Sequence, residues 1–337
     1  ATPVFISNTR LTTKPNAFYV NPGSTSVFVA EGGVSLGGFV SQFETYNVGD
    51  VYASTNGNAL EIGVPTPGEG PVSYFERLPG TGVVNPQGLA YSLGWWATLD
   101  SPGVIGATGS AVMYEGDDFF GSGFPAFLMP VESTTTSYGS GAFKNPRSIA
   151  GDSAGNFYVA DTGNHRVLIF STGGYNATSI GTAIPRGAWT GSNTYNFQNP
   201  VAVACDSSNN VYVGDVADMV TGNSVVQEYA SQATTIKGSW TLVPGCIING
   251  LAIDGNGDFF VSDVGNGVAG AGQVEEYKIL DSSHTLLLRV WGDPKSSNEF
   301  STFYPSCIGL VGNASLTSIT NILVGDQNND MIQVFGP

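Results

Sequence analysis

From residue 145 onward the chain alternates short apolar runs with clusters of Gly, Asn, Asp and Ser. Ser148-Ile149-Ala150 is one such run, Ser153-Ala154-Gly155-Asn156 is a turn cluster, and Phe157–Ala160 is a second run. Thr162-Gly163-Asn164 turns the chain again, and Val167–Phe170 is a third run. Runs this short, bounded by turn formers, predict antiparallel strands joined as hairpins, with a fourth strand in the variable stretch that follows.

The pattern repeats. N-P-R-S-I-A-G-D followed by F-Y-V-A-D and N-H-R-V-L-I-F begins at Asn145, and N-P-V-A-V-A-C-D followed by V-Y-V-G-D begins at Asn199. A third copy reads I-I-N-G-L-A-I-D, then D-F-F-V-S-D, then Q-V-E-E-Y. Each copy holds two aspartates nine residues apart: Asp152 and Asp161, Asp206 and Asp215, Asp254 and Asp263. Looser copies start at Tyr304-Pro305, ending its second strand at Asp326, and at Asn85-Pro86, while the stretch from about Phe18 to Ile62 is strand-like without matching.

Repeat starts at Pro86, Pro146, Pro200, Ile248 and Pro305 lie 48 to 60 residues apart, the size of a four-stranded propeller blade. One blade cannot bury both faces, so blades must stack radially and close a ring. The expectation is a single all-β domain over 1–337, a six-bladed β-propeller of four-stranded antiparallel blades. Its blades fall at about 8–70, 71–135, 140–196, 197–243, 244–297 and 298–337 plus 1–7. The last copy ends after its third strand, so the N-terminal P-V-F-I-S segment is expected to supply the outer strand and close the ring.

The strings N-P-R-S-I-A-G-D, F-Y-V-A-D and N-H-R-V-L-I-F resemble the NHL repeat, a family of β-propellers, over 145–170 and more loosely over 199–229, 245–277 and 304–335. The resemblance implies the propeller fold. It leaves the activity open, because NHL propellers serve as lyases, hydrolase-like enzymes, RNA-binding proteins and protein-binding receptors.

Charge narrows the choice. With 27 acidic and 11 basic residues the chain carries a formal charge of −16, which repels a phosphate backbone and an anionic membrane surface. Nucleic acid is therefore not an expected partner. Nor is membrane insertion, since the sequence has no apolar run of about 18 residues. Few lysines, many Gly, Ser, Thr and Asn, and a start at Ala1 suit a secreted, cell-surface or periplasmic chain. Asn176-Ala-Thr178 and Asn313-Ala-Ser315 would accept glycans in a eukaryotic secretory route. Cys205, Cys246 and Cys307 match no zinc spacing. Either Cys246 and Cys307, which begin neighbouring repeats, form a disulfide, or all three are small buried hydrophobes.

Candidate chemistry is sparse. Asp254-Gly-Asn-Gly-Asp258 has the alternating oxygen donors of a calcium loop, yet the same place in the other copies is a hairpin turn. Asp161, Asp215, Asp263 and Asp326 form a repeated set expected to cap turns. His165 in N-H-R and His284 in a polar turn are the two histidines, too few for the zinc sites of amidating lyases with this fold. Asn249 is the one polar side chain expected near the channel axis. The adjacent Trp95 and Trp96, with Tyr114, Glu115, Asp117 and Asp118, mix aromatics and acids in what reads as an inserted loop region.

These features predict a non-catalytic extracellular binding or assembly module that uses loops of one propeller face. Its partner would be a protein or a carbohydrate, or further copies of itself in a surface assembly, with no cofactor. The alternative is a divalent-cation-dependent (lactonase-like) hydrolase or lyase with its site in the central channel, Ca2+ being the cation and Asn249 a ligand.

Overall fold

The computed structural model describes residues 3–11, 14–20, 26–32, 39–44, 86–93, 95–100, 110–115, 125–129, 143–171, 184–192, 195–218, 220, 222–233, 235–265, 272–292 and 303–337. Apart from one 3-10 turn at Thr162–Asn164, the regular structure there is β-strand. Strand β1 is Val4–Arg10. Sheet I contains β2 (Lys14–Val20), β3 (Ser26–Gly32) and β4 (Phe39–Glu44), and sheet II contains β5 (Pro86–Ser92), β6 (Trp95–Asp100), β7 (Ser110–Glu115) and β8 (Pro125–Met129). Sheet III contains β9 (Ser148–Gly151), β10 (Asn156–Asp161), β11 (Arg166–Ser171) and β12 (Ile184–Trp189). A small hairpin follows, β13 (Gly191–Ser192) with β14 (Tyr195–Asn196).

Sheet IV contains β15 (Pro200–Cys205), β16 (Val211–Asp218), β17 (Asn223–Tyr229) and β18 (Ile236–Thr241). Sheet V contains β19 (Ile248–Ile253), β20 (Phe259–Asp263), β21 (Gln273–Ile279) and β22 (Thr285–Gly292). Sheet VI contains β23 (Pro305–Gly312), β24 (Ile319–Asp326) and β25 (Met331–Gly336), and β1 pairs onto β25 as its fourth strand. The first strands β2, β5, β9, β15, β19 and β23 neighbour one another in that order, and β23 returns to β2, so they line a central channel.

The chain is thus an all-β propeller, and the expectation of six complete four-stranded blades is corrected. Four blades, sheets III to VI, carry the full repeat, with four strands and an aspartate closing the second. Sheet II has four strands but only the outline of the repeat, and sheet I has three among the described residues. The closing strand is Val4–Arg10, three residues beyond the expected 1–7, and runs antiparallel from Val4 opposite Gly336 to Arg10 opposite Met331. Phe5 meets Phe335 edge-on at 5.8 Å between ring centroids.

The core lies between sheets. Ala90, Ala97 and Leu99 of sheet II pack with Ile149, Phe157 and Val159 of sheet III, and Val203, Val213 and Tyr229 of sheet IV pack with Tyr158 and Ile169 of sheet III. Sheets IV and V join through Tyr212, Trp240, Phe259 and Tyr277, and sheets V and VI through Phe260, Trp291, Ile308 and Phe335. The second strands of sheets III and V are flanked on both faces by neighbouring sheets, so Asn156–Asp161 and Phe259–Asp263 are buried throughout. Close approach demands glycine at Gly250, where a Cβ would lie 2.9 Å from the Cα of Cys307 in the next sheet.

The proposed Cys246–Cys307 bridge is not formed. All three cysteines are free thiols. Cys307 points into its own sheet, where a Cβ on Gly325 would meet its Sγ at 2.5 Å. Cys246 is buried among the residues joining sheets IV and V, its carbonyl accepting the Ser224 hydroxyl at 2.7 Å.

Candidate functional site

The second halves of the six inner strands surround a cavity of about 590 Å³ at one mouth of the channel. Small and aliphatic residues dominate its wall, among them Ala90, Ala150, Ala204, Leu251, Ala252 and Leu310. They are small because six strands converge there, and a bulky side chain on each would close the channel. Tyr19 of sheet I and Tyr91 of sheet II lie on one side with ring centroids 5.9 Å apart. Burial pushes the Tyr19 phenol up, and the Tyr91 phenol beside it adds to the shift. The Tyr19 phenol is therefore neutral across the physiological range.

Three aspartates stand at the rim, one per first hairpin: Asp152, Asp206 and Asp254. Their carboxylates serve the hairpins. Asp152 accepts from the Ala154 and Asn156 backbone at 2.9 Å and from Asn156 Nδ2 and Tyr158 Oη. Asp206 accepts the backbone of Ser208 and Asn210, and Asp254 that of Asn256 and Asp258. These Asx-type turns are what the repeat predicted at Asp254, in place of a calcium loop. Neighbouring hairpins are also tied together: Ser92 Oγ donates to the Asp152 carbonyl, Ser153 N to Asn209 Oδ1 at 2.9 Å, and Gly255 N to the Leu316 carbonyl at 3.0 Å. These bonds stitch sheet II to III, III to IV and V to VI at the rim.

The second repeated set sits at the opposite end of the strands. Asp161, Asp215, Asp263 and Asp326 are buried, and each fastens the loop that enters its sheet. Lys144 N donates to Asp161 at 2.7 Å, Gln198 N to Asp215 at 3.0 Å, Ile247 N to Asp263 at 2.7 Å and Tyr304 N to Asp326 at 3.2 Å. Capping of the following turn, the expected role, is present too, with Gly265 N on Asp263 and Asn328 N on Asp326. Strand register extends the set in a way the sequence hid. Pro200 faces Asp215 and Pro305 faces Asp326, each beside a bulge, and the same pairing with a bulge joins Pro86 to Asp100 and Pro15 to Glu31.

The other expected residues are placed as follows. Trp95 and Trp96 do not lie in an inserted loop: they begin strand β6, with Trp95 opposite Glu115 and Trp96 opposite Tyr114 on β7. That strand end adjoins the turn after Ser92, so their backbone stands at the cavity end of sheet II. Asp117, Asp118, Asn176 and Thr178 lie outside the described residues. Asn249 is half-buried on β19, whose cavity-facing part is instead Leu251, Ala252 and Ile253. His165, held in a left-handed conformation, contacts the Gln198 carbonyl through Nδ1. His284 is exposed in the β21–β22 turn beside Asp281, whose carboxyl is lowered to about 2 chiefly by the Ser283 backbone N–H and then by His284. Neither histidine is among the cavity-lining residues.

Comparison with known proteins agrees with this geometry. The family model for the NHL repeat matches residues 143–170, which span β9, β10 and most of β11. The chain carries an NHL repeat. No curated protein matches its sequence significantly. Among solved structures, the WD40 repeats of RRP9 superpose with a TM-score of 0.55 at 10% identity, covering 100% of this chain and 99% of that one. U3-55K gives 0.54 at 9% identity, covering 100% and 98%, and a protein from Lactobacillus plantarum gives 0.52 at 12%, covering 90% and 76%. At these identities the likeness shows the β-propeller fold.

Proposed function

We propose that this NHL-type propeller is a non-catalytic extracellular module that binds a protein partner at the mouth bearing the 590 Å³ cavity. The observation carrying the reading is the use made of the mouth's carboxylates. Asp152, Asp206 and Asp254 are committed to backbone N–H groups of their own turns, which leaves an apolar, tyrosine-bearing concavity with a rigid rim. A catalytic centre brings acid, base or ligand groups together within hydrogen-bond reach of one reacting point. A binding site needs shape, apolar area and a fixed frame, and aromatic side chains at its centre. The backbone of Trp95, Trp96, Tyr114 and Glu115 stands at the same end of sheet II. The extracellular setting rests on the composition, poor in Lys and Arg and rich in uncharged polar residues.

The test uses photo-crosslinking residues at two exposed positions. Leu93 lies at the mouth, 63% exposed, and Val220 lies in the turn at the opposite end, 78% exposed. Crosslinks to a discrete protein from Leu93, lost when Tyr91→Ala is added, are expected. Crosslinking from Val220 alone would place the working face at the other end. Capture of a glycan in place of a protein would change the partner class, and turnover of esters or lactones that requires added calcium would replace the proposal with the channel enzyme.

A further inference from the structure

Sheet V departs from its neighbours at two buried positions, and the two departures meet. Opposite the central valine of the second strand, β11 has Leu168, β17 has Gln227 and β25 has Gln333, but β21 has Glu275. Two residues before the paired start of the inner strand, sheets IV and VI have Gln198 and Phe303, while sheet V has Cys246. Their side chains converge with Asp263, the loop-fastening aspartate, and one donor atom from each of the three lies within 4.8 Å of the others. Cys246, Asp263 and Glu275 are 1%, 2% and 0% exposed.

Two carboxyls and a thiol buried together call for a counter-charge. In sheet III the equivalent aspartate has one, since Arg166 bonds Asp161 at 2.8 Å. In sheet V the strand partner of Asp263 is the neutral Gln273, and among the described residues Tyr277 and Ser224 also adjoin the cluster. The two carboxyls are also oriented from outside, as ligands of a metal centre are. Gln273 Nε2 reaches Asp263 at 3.2 Å and Glu275 at 2.8 Å, Tyr277 Oη donates to Glu275 at 2.5 Å, and Asp263 is fixed by the Ile247 and Gly265 N–H groups at 2.7 Å.

We propose that Cys246, Asp263 and Glu275 form a structural site for a divalent cation of zinc-like softness, built into the joint between sheets IV and V. One thiolate and two carboxylate oxygens suit Zn2+, which tolerates mixed sulfur and oxygen donors at about 2.0–2.3 Å. Calcium and magnesium favour all-oxygen shells, so the thiol selects against them. Binding brings a positive charge to a buried cluster of two carboxyls and a thiol. Because the site is buried, the metal enters as the chain folds.

The test compares protein expressed in zinc-supplemented medium and washed with a chelator, its metal counted by mass spectrometry. Glu275→Gln is the decisive variant, since glutamine already occupies this place in two other sheets and the fold tolerates it. Wild type and Cys307→Ser are expected to hold one zinc per chain, and Glu275→Gln less than a tenth of that, with unchanged circular dichroism. Cobalt-grown wild type should show a thiolate-to-cobalt charge-transfer band that Cys307→Ser keeps and Glu275→Gln loses. Zinc-free wild type, or equal zinc in wild type and Glu275→Gln, would overturn the proposal.

Discussion

If the buried aspartates are loop fasteners, then removing Asp161 must cost far more than removing the charge it pairs with. Asp161 is fully buried and accepts three hydrogen bonds: from Lys144 N at 2.7 Å, Asn164 Nδ2 at 2.8 Å and Arg166 Nε at 2.8 Å. Asp161→Ala orphans the Lys144 N–H, which holds the entering loop, at about 1–3 kcal/mol. It also removes the ion pair to Arg166, 6% exposed, and breaking a buried pair from one side costs about 3–5 kcal/mol. Some water will enter and the two overlap, so about 4–6 kcal/mol is expected. Arg166→Met is a different perturbation. Asp161 keeps its loop and Asn164 bonds, and the strand then reads as sheet VI already does, where Met331 faces Asp326. About 1–2 kcal/mol is expected.

The assay is urea unfolding followed by circular dichroism, with the slope on denaturant checked for constancy so that midpoints convert to free energies. Total stabilities of domains run about 5–15 kcal/mol, so Asp161→Ala should sit near the edge of folding. Equal losses in the two variants, or a larger loss for Arg166→Met, would mean that the ion pair is the important element. The fastening argument would then fail for all four aspartates.

Deleting residues 1–10 removes β1 and exposes the edge of β25. A loss of several kcal/mol and concentration-dependent aggregation, seen by light scattering, are expected. Burial raises Asp215 above the ordinary carboxylate range, against the bonds from Tyr195 and Gln198, so the folded state holds its proton more tightly than the unfolded chain. This group's contribution is therefore fully present below the unfolded pKa and declines as pH rises through the raised folded one. Asp215→Asn, which keeps an acceptor for Gln198 N, should flatten that part of the stability–pH curve measured by thermal melts. Burial pushes up Cys205, Cys246 and Cys307, and of the three only Cys205 is part-exposed, at the cavity wall, so native protein should react slowly and at no more than one thiol while unfolded protein yields three equivalents.

The blades at 145, 199, 246 and 304 were legible because their evidence is local: a turn, an apolar run and an aspartate at fixed spacing. Ring closure by the N terminus was legible for a counting reason, since a blade ending on its third strand needs a fourth. Sheets I and II were obscure for the converse reason. Their repeat survives as a cross-strand pairing of Pro15 with Glu31 and of Pro86 with Asp100, and the intervals of 16 and 14 residues differ from each other because the turns between differ. Register recovers what spacing cannot. The same blindness put Trp95 and Trp96 in a loop: W-W-A-T-L-D was not recognised as a second strand, because Thr98 stands two residues before its aspartate where F-Y-V-A-D and V-Y-V-G-D have valine.

The site was less legible than the fold, and the cause lies in how a propeller uses polar residues. A carboxylate that recurs in every blade is doing the blade's own work, as both aspartate sets here show through their backbone partners. Specific chemistry must then appear where one blade breaks the pattern the others keep. Reading repeats for what they share finds the scaffold; reading them for what one copy alone has finds Glu275 and Cys246. Those two lie 29 residues apart in sequence, and only the pairing of β20 with β21 and the packing of the entering loop bring both to Asp263. The tyrosines of the mouth follow the same logic. Tyr19 and Tyr91 belong to the two least regular sheets, where the inner strands of sheets III to V present Ala150, Ala204 and Ala252 to the cavity, and irregular blades are where a closed, self-satisfied ring has room to meet something else.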